Sequence, residues 1–88
     1  MVMEFDERKR QVTLLERGLD FTDASRVFEG RCITFEDLRQ LYGEQRFVTL
    51  GELDARLVVI VWTPRGAARR IISMRKANER EQALYRLG

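Results

Sequence analysis

Leu57-Val-Val-Ile-Val-Trp62, Thr63-Pro-Arg-Gly66 and Ala68-Arg-Arg-Ile-Ile-Ser-Met-Arg-Lys76 follow one another with a single alanine between the last two, and their reading decides the fold. The first is apolar at every position and rich in β-branched residues, the pattern of a strand buried on both faces. It is too short for a buried helix and is stopped by Pro64 and Gly66. Pro64 presets φ for a tight turn and Gly66 tolerates the exit. In the return strand, alternation sends Arg69, Ile71, Ser73 and Arg75 to one face and Arg70, Ile72, Met74 and Lys76 to the other. An apolar central strand thus carries a neighbour loaded with cations, a platform for presenting positive charge.

Working outward, Arg46–Gly51 alternates and predicts the preceding strand, with Glu52–Arg56, Asp54 near its middle, as the hairpin loop. Arg31–Phe35 is a further strand. Between them Glu36–Gly43 is a polar connection, with Asp37 and Arg39 available for contacts across it. Asp6 can cap a helix to about Arg17, stopped by Gly18, with Phe5, Val12, Leu15 and Leu19 near one face and Glu7–Arg10 on its wet side. Thr22 is the candidate cap of a second short helix through Ala24, Val27 and Phe28, ended by Gly30. Downstream, Asn78 and Glu81 have capping-box spacing for a last helix. That helix carries Ala77, Leu84 and Leu87 on one stripe, with Arg80 and Tyr85 elsewhere. The expectation is a single α+β domain over residues 1–88: two N-terminal helices, a mostly antiparallel sheet of about four strands, and one C-terminal helix.

The chain has 88 residues, 44% apolar and 34% charged, enough for one modest core. No apolar run approaches the ~18 residues of a membrane span, and no secretory signal is visible at the N-terminus. The lone Cys32 fits a reducing cytoplasm and reads as a packing residue. The net charge of +2 hides an asymmetry: residues 1–43 hold seven Lys/Arg against nine Asp/Glu, and residues 44–88 hold nine against five. Between Arg65 and Arg80, six cations face only Glu79. Such clustering fits a polyanion partner; a solvated face or an acidic protein partner would look the same.

With no histidine and one cysteine, zinc sites and Ser-His-Asp or Cys-His catalysis are excluded. No glycine loop cradles phosphate, and the basic half offers few carboxylates for a metal, so neither metal nor cofactor is expected. What remains suits phosphodiester chemistry. Arginines neutralise a phosphate and the charge that builds in its transition state, and RNA brings its own 2′-hydroxyl nucleophile. Arginine itself carries protons poorly. A proton acceptor would be Glu44, Glu79, or Lys76 with its pKa lowered by Arg75 and Arg80. Tyr85 could donate to the leaving group or stack on a base. Trp62 continues the buried strand and reads as core.

These residues resemble the BrnT toxins of bacterial type II toxin–antitoxin pairs, whose fold is similar to RelE-like ribonucleases. The likeness runs through Phe5-Asp6, Lys9, Gly18, Phe21, Ala24, Val27-Phe28 and Asp37-x-Arg39. It continues through Tyr42-Gly43-Glu44-x-Arg46-Phe47, Leu50-Gly51, Val58-Val59 and Thr63-x-Arg65. It is densest at Arg70-x-Ile72-Ser73-x-Arg75-Lys76-Ala77, with Glu79 or Glu81 and Tyr85 after it. Two departures stand in the first helix: Glu16-Arg17-Gly18 where the family often has Lys-His-Gly, and Gln11 near a common asparagine.

The resemblance implies a RelE-like toxin that cleaves RNA and inhibits translation, and is neutralised by a cognate antitoxin. Such pairs assemble as two toxins with two antitoxins, and operator DNA is reached only through the antitoxin. On this reading Arg65 and Arg75 hold the scissile phosphate, with Arg46 and Arg80 steering the strand. Glu44 transfers the proton or orients an arginine, with Lys76 its competitor, and Arg69, Arg70 and Tyr85 add RNA contacts. The alternative is a non-catalytic RNA-binding module or an inert relative acting as a co-repressor subunit.

Overall fold

A computed structural model describes residues 2–39 and 41–88. In chain order the elements are β1 (Val2–Glu4), α1 (Glu7–Arg17), a 3₁₀ turn (Phe21–Asp23), α2 (Ala24–Glu29), β2 (Cys32–Glu36), β3 (Phe47–Leu53), β4 (Arg56–Arg65), β5 (Ala68–Lys76) and α3 (Glu79–Leu87). The expected class, α+β, is the one found. The sheet differs in detail: it has five strands in the order β1-β5-β4-β3-β2 and is mixed, because β1 runs parallel to β5. A three-residue strand is too short for alternation to show in sequence. It docks on the edge of β5, where Glu4 stands opposite Arg70 and pairs with it at 3.6 Å.

β4 is central, hydrogen-bonded to β3 and β5, and Val58, Val59 and Ile60 are wholly buried. The strand continues through Pro64 to Arg65, so the expected turn moves to Gly66-Ala67, with Gly66 at φ +58°. Pro64 is tolerated because β3 ends opposite Trp62, leaving the proline a partner only in β5.

β5 breaks strict alternation. Ser73 stands opposite Val61 and Ile71 opposite Trp62, so Ile72 is an extra residue in a β-bulge. Ile71 and Met74, three residues apart, therefore enter one core. The expected division of the cations changes with it. Arg69, opposite Pro64, shares a face with Ile71 and Met74. Arg70, Ser73 and Arg75, opposite Thr63, Val61 and Val59, lie on the other.

The first face packs Phe21, Ala24, Val27, Ile60, Trp62 and Met74 beneath α2. α2 comes so close to β3 that a Cβ on Gly51 would lie 2.6 Å from Val27 Cγ1, which only glycine avoids. Trp62 is core, as expected: it stacks on Phe47 at 4.9 Å, and its indole N–H donates to Thr49 Oγ1 at 2.8 Å. Cys32 is half-buried, its thiol 4.0 Å from the Phe28 carbonyl. The second face has a thinner core of Val48, Leu50, Val59 and Tyr85 beneath α3.

The helix ends are largely those predicted. Asp6 caps α1 by accepting from the Lys9 N–H, Gly18 ends it in the left-handed region, and Asn78 and Glu81 form the capping box of α3. Other expectations are overturned. α1 buries none of its residues, and Leu15 of its presumed core stripe is 86% exposed. Charge anchors it instead: Arg10 forks onto Asp20 at 2.9 and 3.1 Å, and Arg17 donates to the Met74 carbonyl at 2.9 Å. The cap before α2 is Asp20, which accepts from the Thr22 N–H and heads the 3₁₀ turn; Thr22 itself caps nothing. The loop expected over Glu52–Arg56 shrinks to Asp54-Ala55, both at positive φ, a two-residue hairpin turn. On α3, Leu84 and Leu87 are exposed, and Tyr85 is the residue that is buried. Gln40, within the expected Glu36–Gly43 connection, lies outside the described residues. Among the described residues no helix is long and apolar enough to cross a membrane.

Candidate functional site

The connection between β2 and β3 is organised by one buried carboxylate. The Asp37 side chain is 1% exposed, and burying a charge is costly unless it is fully paired. Here both oxygens are used. Arg39 donates through Nε and Nη2 at 2.8 Å each and through its backbone N–H at 3.2 Å, and the Tyr42 hydroxyl donates at 3.0 Å. The Arg39 guanidinium holds the Asp37 carboxyl well below the usual range although burial opposes it. The Asp37 N–H in turn donates to the Arg46 carbonyl at 2.8 Å, closing the base of the loop.

This closure places Tyr42 under Arg46, guanidinium over ring at 4.0 Å. Arg46 Nε reaches Glu44 Oε2 at 3.2 Å, and Arg65, from the end of β4, brings Nη2 to 3.7 Å from Glu44 Oε1. Glu44, Arg46 and Arg65 thus meet on one rim, contiguous with Asp37 and Arg39.

Beside the rim lies a groove of ≈ 350 Å³, within the size range of small-ligand sites. Val48, Val59 and Val61 floor it, and Arg39, Arg75 and Arg80 line it with Asp37 and Glu81. Glu81 grips Arg75 with two bonds of 2.8 and 2.7 Å while also accepting from the Asn78 N–H at 2.9 Å. One carboxylate therefore starts α3 and aims an arginine into the groove. The Arg75 guanidinium lowers the Glu81 pKa, and Glu81 raises that of Arg75, against which the nearby Arg39 charge acts.

The predicted site residues are distributed as follows. Glu44, Arg46 and Arg65 are together; Arg75 and Arg80 share the groove. Arg75 lies opposite Val59, and Arg65 is six positions further along β4, roughly 20 Å at ~3.3 Å per residue. The two occupy the same face at opposite ends of the rim and groove. Lys76 lines a different cleft, on the far side of α3. Arg69 is on the opposite face of the sheet, stacked at 4.1 Å over Phe28 and 4.8 Å over Trp62. Arg70 turns to Glu4. Tyr85 is buried, its hydroxyl donating to the Arg31 carbonyl at 2.9 Å. Glu79 is exposed in the first turn of α3.

Sequence reading left Asp37, Arg39, Tyr42 and Glu81 out of the site. Their signal was present in the spacing Asp-x-Arg, Tyr-Gly-Glu-x-Arg and Asn-x-x-Glu, but a loop and a helix cap account for the same letters. Among the described residues no three His, Cys, Asp or Glu side chains gather as a metal site.

Fold and site define a class: a small α+β protein that collects arginines on one sheet face and aims them with carboxylates. Residues 5–81 match the model of a family described as ribonuclease toxin, BrnT, of type II toxin–antitoxin system, and the chain belongs to that family. Membership implies an antitoxin partner. The match takes in the rim and every charged residue of the groove. No curated protein matches the chain.

Proposed function

We propose that this protein is the toxin of its pair, an endoribonuclease that cleaves RNA without a bound metal and so inhibits translation. Glu44 takes the proton of a ribose 2′-hydroxyl. The 2′-oxygen attacks the adjacent phosphorus, and the 5′-oxygen leaves, taking a proton from water. Arg46 and Arg65 hold the scissile phosphate as negative charge builds on its oxygens. Arg39, Arg75 and Arg80 hold the nucleotides that follow along the groove. Lys76, remote from Glu44, serves the RNA backbone rather than proton transfer, and Arg69, Arg70 and Tyr85 take no part.

The observation that carries this reading is the looseness of Glu44. Asp37 accepts four hydrogen bonds and Glu81 three, whereas Glu44 accepts one, from Arg46 at 3.2 Å, with Arg65 only approaching at 3.7 Å. A general base needs a free lone pair within reach of substrate. The test is incubation with a labelled transcript in EDTA. Fragments are expected, and Glu44→Gln should slow their appearance by about 10²–10⁴-fold. In cells the protein without its partner should arrest growth, and Arg65→Ala or Arg75→Ala should relieve the arrest. An intact transcript together with normal growth at high expression would sink the proposal.

One observation favours a second reading. Two of the groove's three arginines are matched by acids, Arg39 by Asp37 and Arg75 by Glu81, as suits a non-catalytic RNA-binding module or co-repressor subunit. Salt-sensitive binding without fragments is its signature. In either case the antitoxin would assemble with the toxin two to two and supply the contact to operator DNA, which the mass of the co-purified complex tests.

A further inference from the structure

A concavity of ≈ 700 Å³ lies between the β3–β4 hairpin and the flank of α3 opposite the groove. Its charges are unlike those of the groove. Arg31, Arg56, Lys76 and Arg86 line it against one acid, Glu52. Among the described residues, Arg56, Lys76 and Arg86 make no ion pair and no side-chain hydrogen bond. Arg31 is fixed in place: its guanidinium stacks on the Tyr85 ring at 4.2 Å and donates to the Tyr85 carbonyl at 2.8 Å. Four cations around one carboxylate repel one another, and an anion among them relieves that repulsion.

We propose that this cleft is a second RNA-backbone site, which binds phosphates further along the strand than those held in the groove. The two concavities are neighbours. Arg75 lines one and Lys76 the other; Glu81 and Leu84 border one flank of α3, Gln82 and Tyr85 the opposite flank. Arg80 and Arg86 are six residues apart, about 9 Å along the helix axis, and link the two across it. An acidic protein segment would also satisfy the cations. RNA is favoured because the cleft adjoins the arginine groove and extends one basic track to either side of α3. The proposal rests on RNA being what the groove binds.

The test uses the full chain and a single-stranded RNA of about 12 nucleotides, within the span of single-strand sites, with every 2′-hydroxyl replaced by fluorine so that it cannot be cleaved. Binding is followed by fluorescence anisotropy from about 50 to about 200 mM salt. The double variant Arg56→Ala/Arg86→Ala should bind about tenfold more weakly. Its plot of log affinity against log salt should be shallower by about 1.4, two contacts at ~0.7 each. A trinucleotide anchored at the Glu44 rim, too short to span the roughly 20 Å from Arg65 to Arg75 and on into the cleft, should lose less than about twofold. Glu52→Gln, which removes the cleft's only acid, should tighten the longer RNA; because it tests a gain, misfolding cannot imitate it. An unchanged salt slope, an equal loss on both RNAs, or a loss confined to antitoxin binding would overturn the proposal. Binding as expected with no cleavage of ordinary RNA would sink the ribonuclease reading and leave this one standing; cleavage with an unaltered slope in the double variant would do the reverse.

Discussion

Between α2 and the sheet Phe21, Val27, Ile60, Ile71 and Met74 are buried, and a cation on that side, Arg69, lies over Phe28 and Trp62. Beneath α3 the same strands bury Val48, Leu50 and Val59 against Tyr85 of the helix, and the outer part of that face carries arginines. Because strand side chains alternate, each strand serves both faces at once. One side supplies the rigidity, and the other can carry like charges that would otherwise destabilise so small a protein. On the charged side, Arg39 and Arg75 of the groove are matched by carboxylates, while among the described residues Arg56, Lys76 and Arg86 of the cleft across α3 pair with none. Stability and chemistry should therefore respond to different substitutions.

The largest effect is expected under α2. Phe21, 1% exposed, should cost about 3–5 kcal/mol when replaced by alanine, measured by urea unfolding. A loss below about 1 kcal/mol would mean that this face is not the load-carrying one. Asp37→Asn comes next, at roughly 1.5–3 kcal/mol near neutral pH, since it weakens charge-assisted bonds to Arg39 and Tyr42 in a buried place. Its sign with pH is defined. The folded pKa of Asp37 is depressed, so its contribution is complete above the unfolded value near 4 and is lost as pH falls from there towards the folded value. The variant's stability should therefore decline less steeply than the wild type's below about pH 4.

Arg10→Ala should cost less than Asp37→Asn, because its pairing with Asp20 is only partly shielded from solvent. The change should appear as faster amide exchange in α1 than in the sheet, because α1 is held by that contact and not by buried apolar residues. Equal acceleration everywhere would show α1 to be integral to the core. The smallest effect separates the predicted helix stripe from the observed one. Leu15→Glu should alter stability by less than about 0.5 kcal/mol, because the side chain is 86% exposed. A loss of several kcal/mol would restore the core face read from sequence.

How far the sequence could be read varied from element to element. Asp6, Gly18, Asn78 and Glu81 act within a turn or two of themselves, so their caps were legible. β1 was not, because three residues have no periodicity and their pairing depends on a strand more than sixty positions away. The α1 stripe misled because an apolar spacing says which residues can share a face, not whether anything covers it. The candidate site was half legible. Glu44, Arg46 and Arg65 were named and meet, whereas Lys76 was grouped with Arg75 as its neighbour in sequence and lines another cleft.

By itself the sequence determined the α+β class, the apolar central strand and its basic partner, because these follow from local periodicity and composition. Which arginines share a face was decided only in three dimensions. The bulge at Ile72 puts Arg70 and Arg75 on one side and Arg69 on the other, and Asp37 and Glu81 choose which guanidiniums are aimed and which stay unmatched. Both depend on strand register and long-range packing, which no window of neighbouring residues contains.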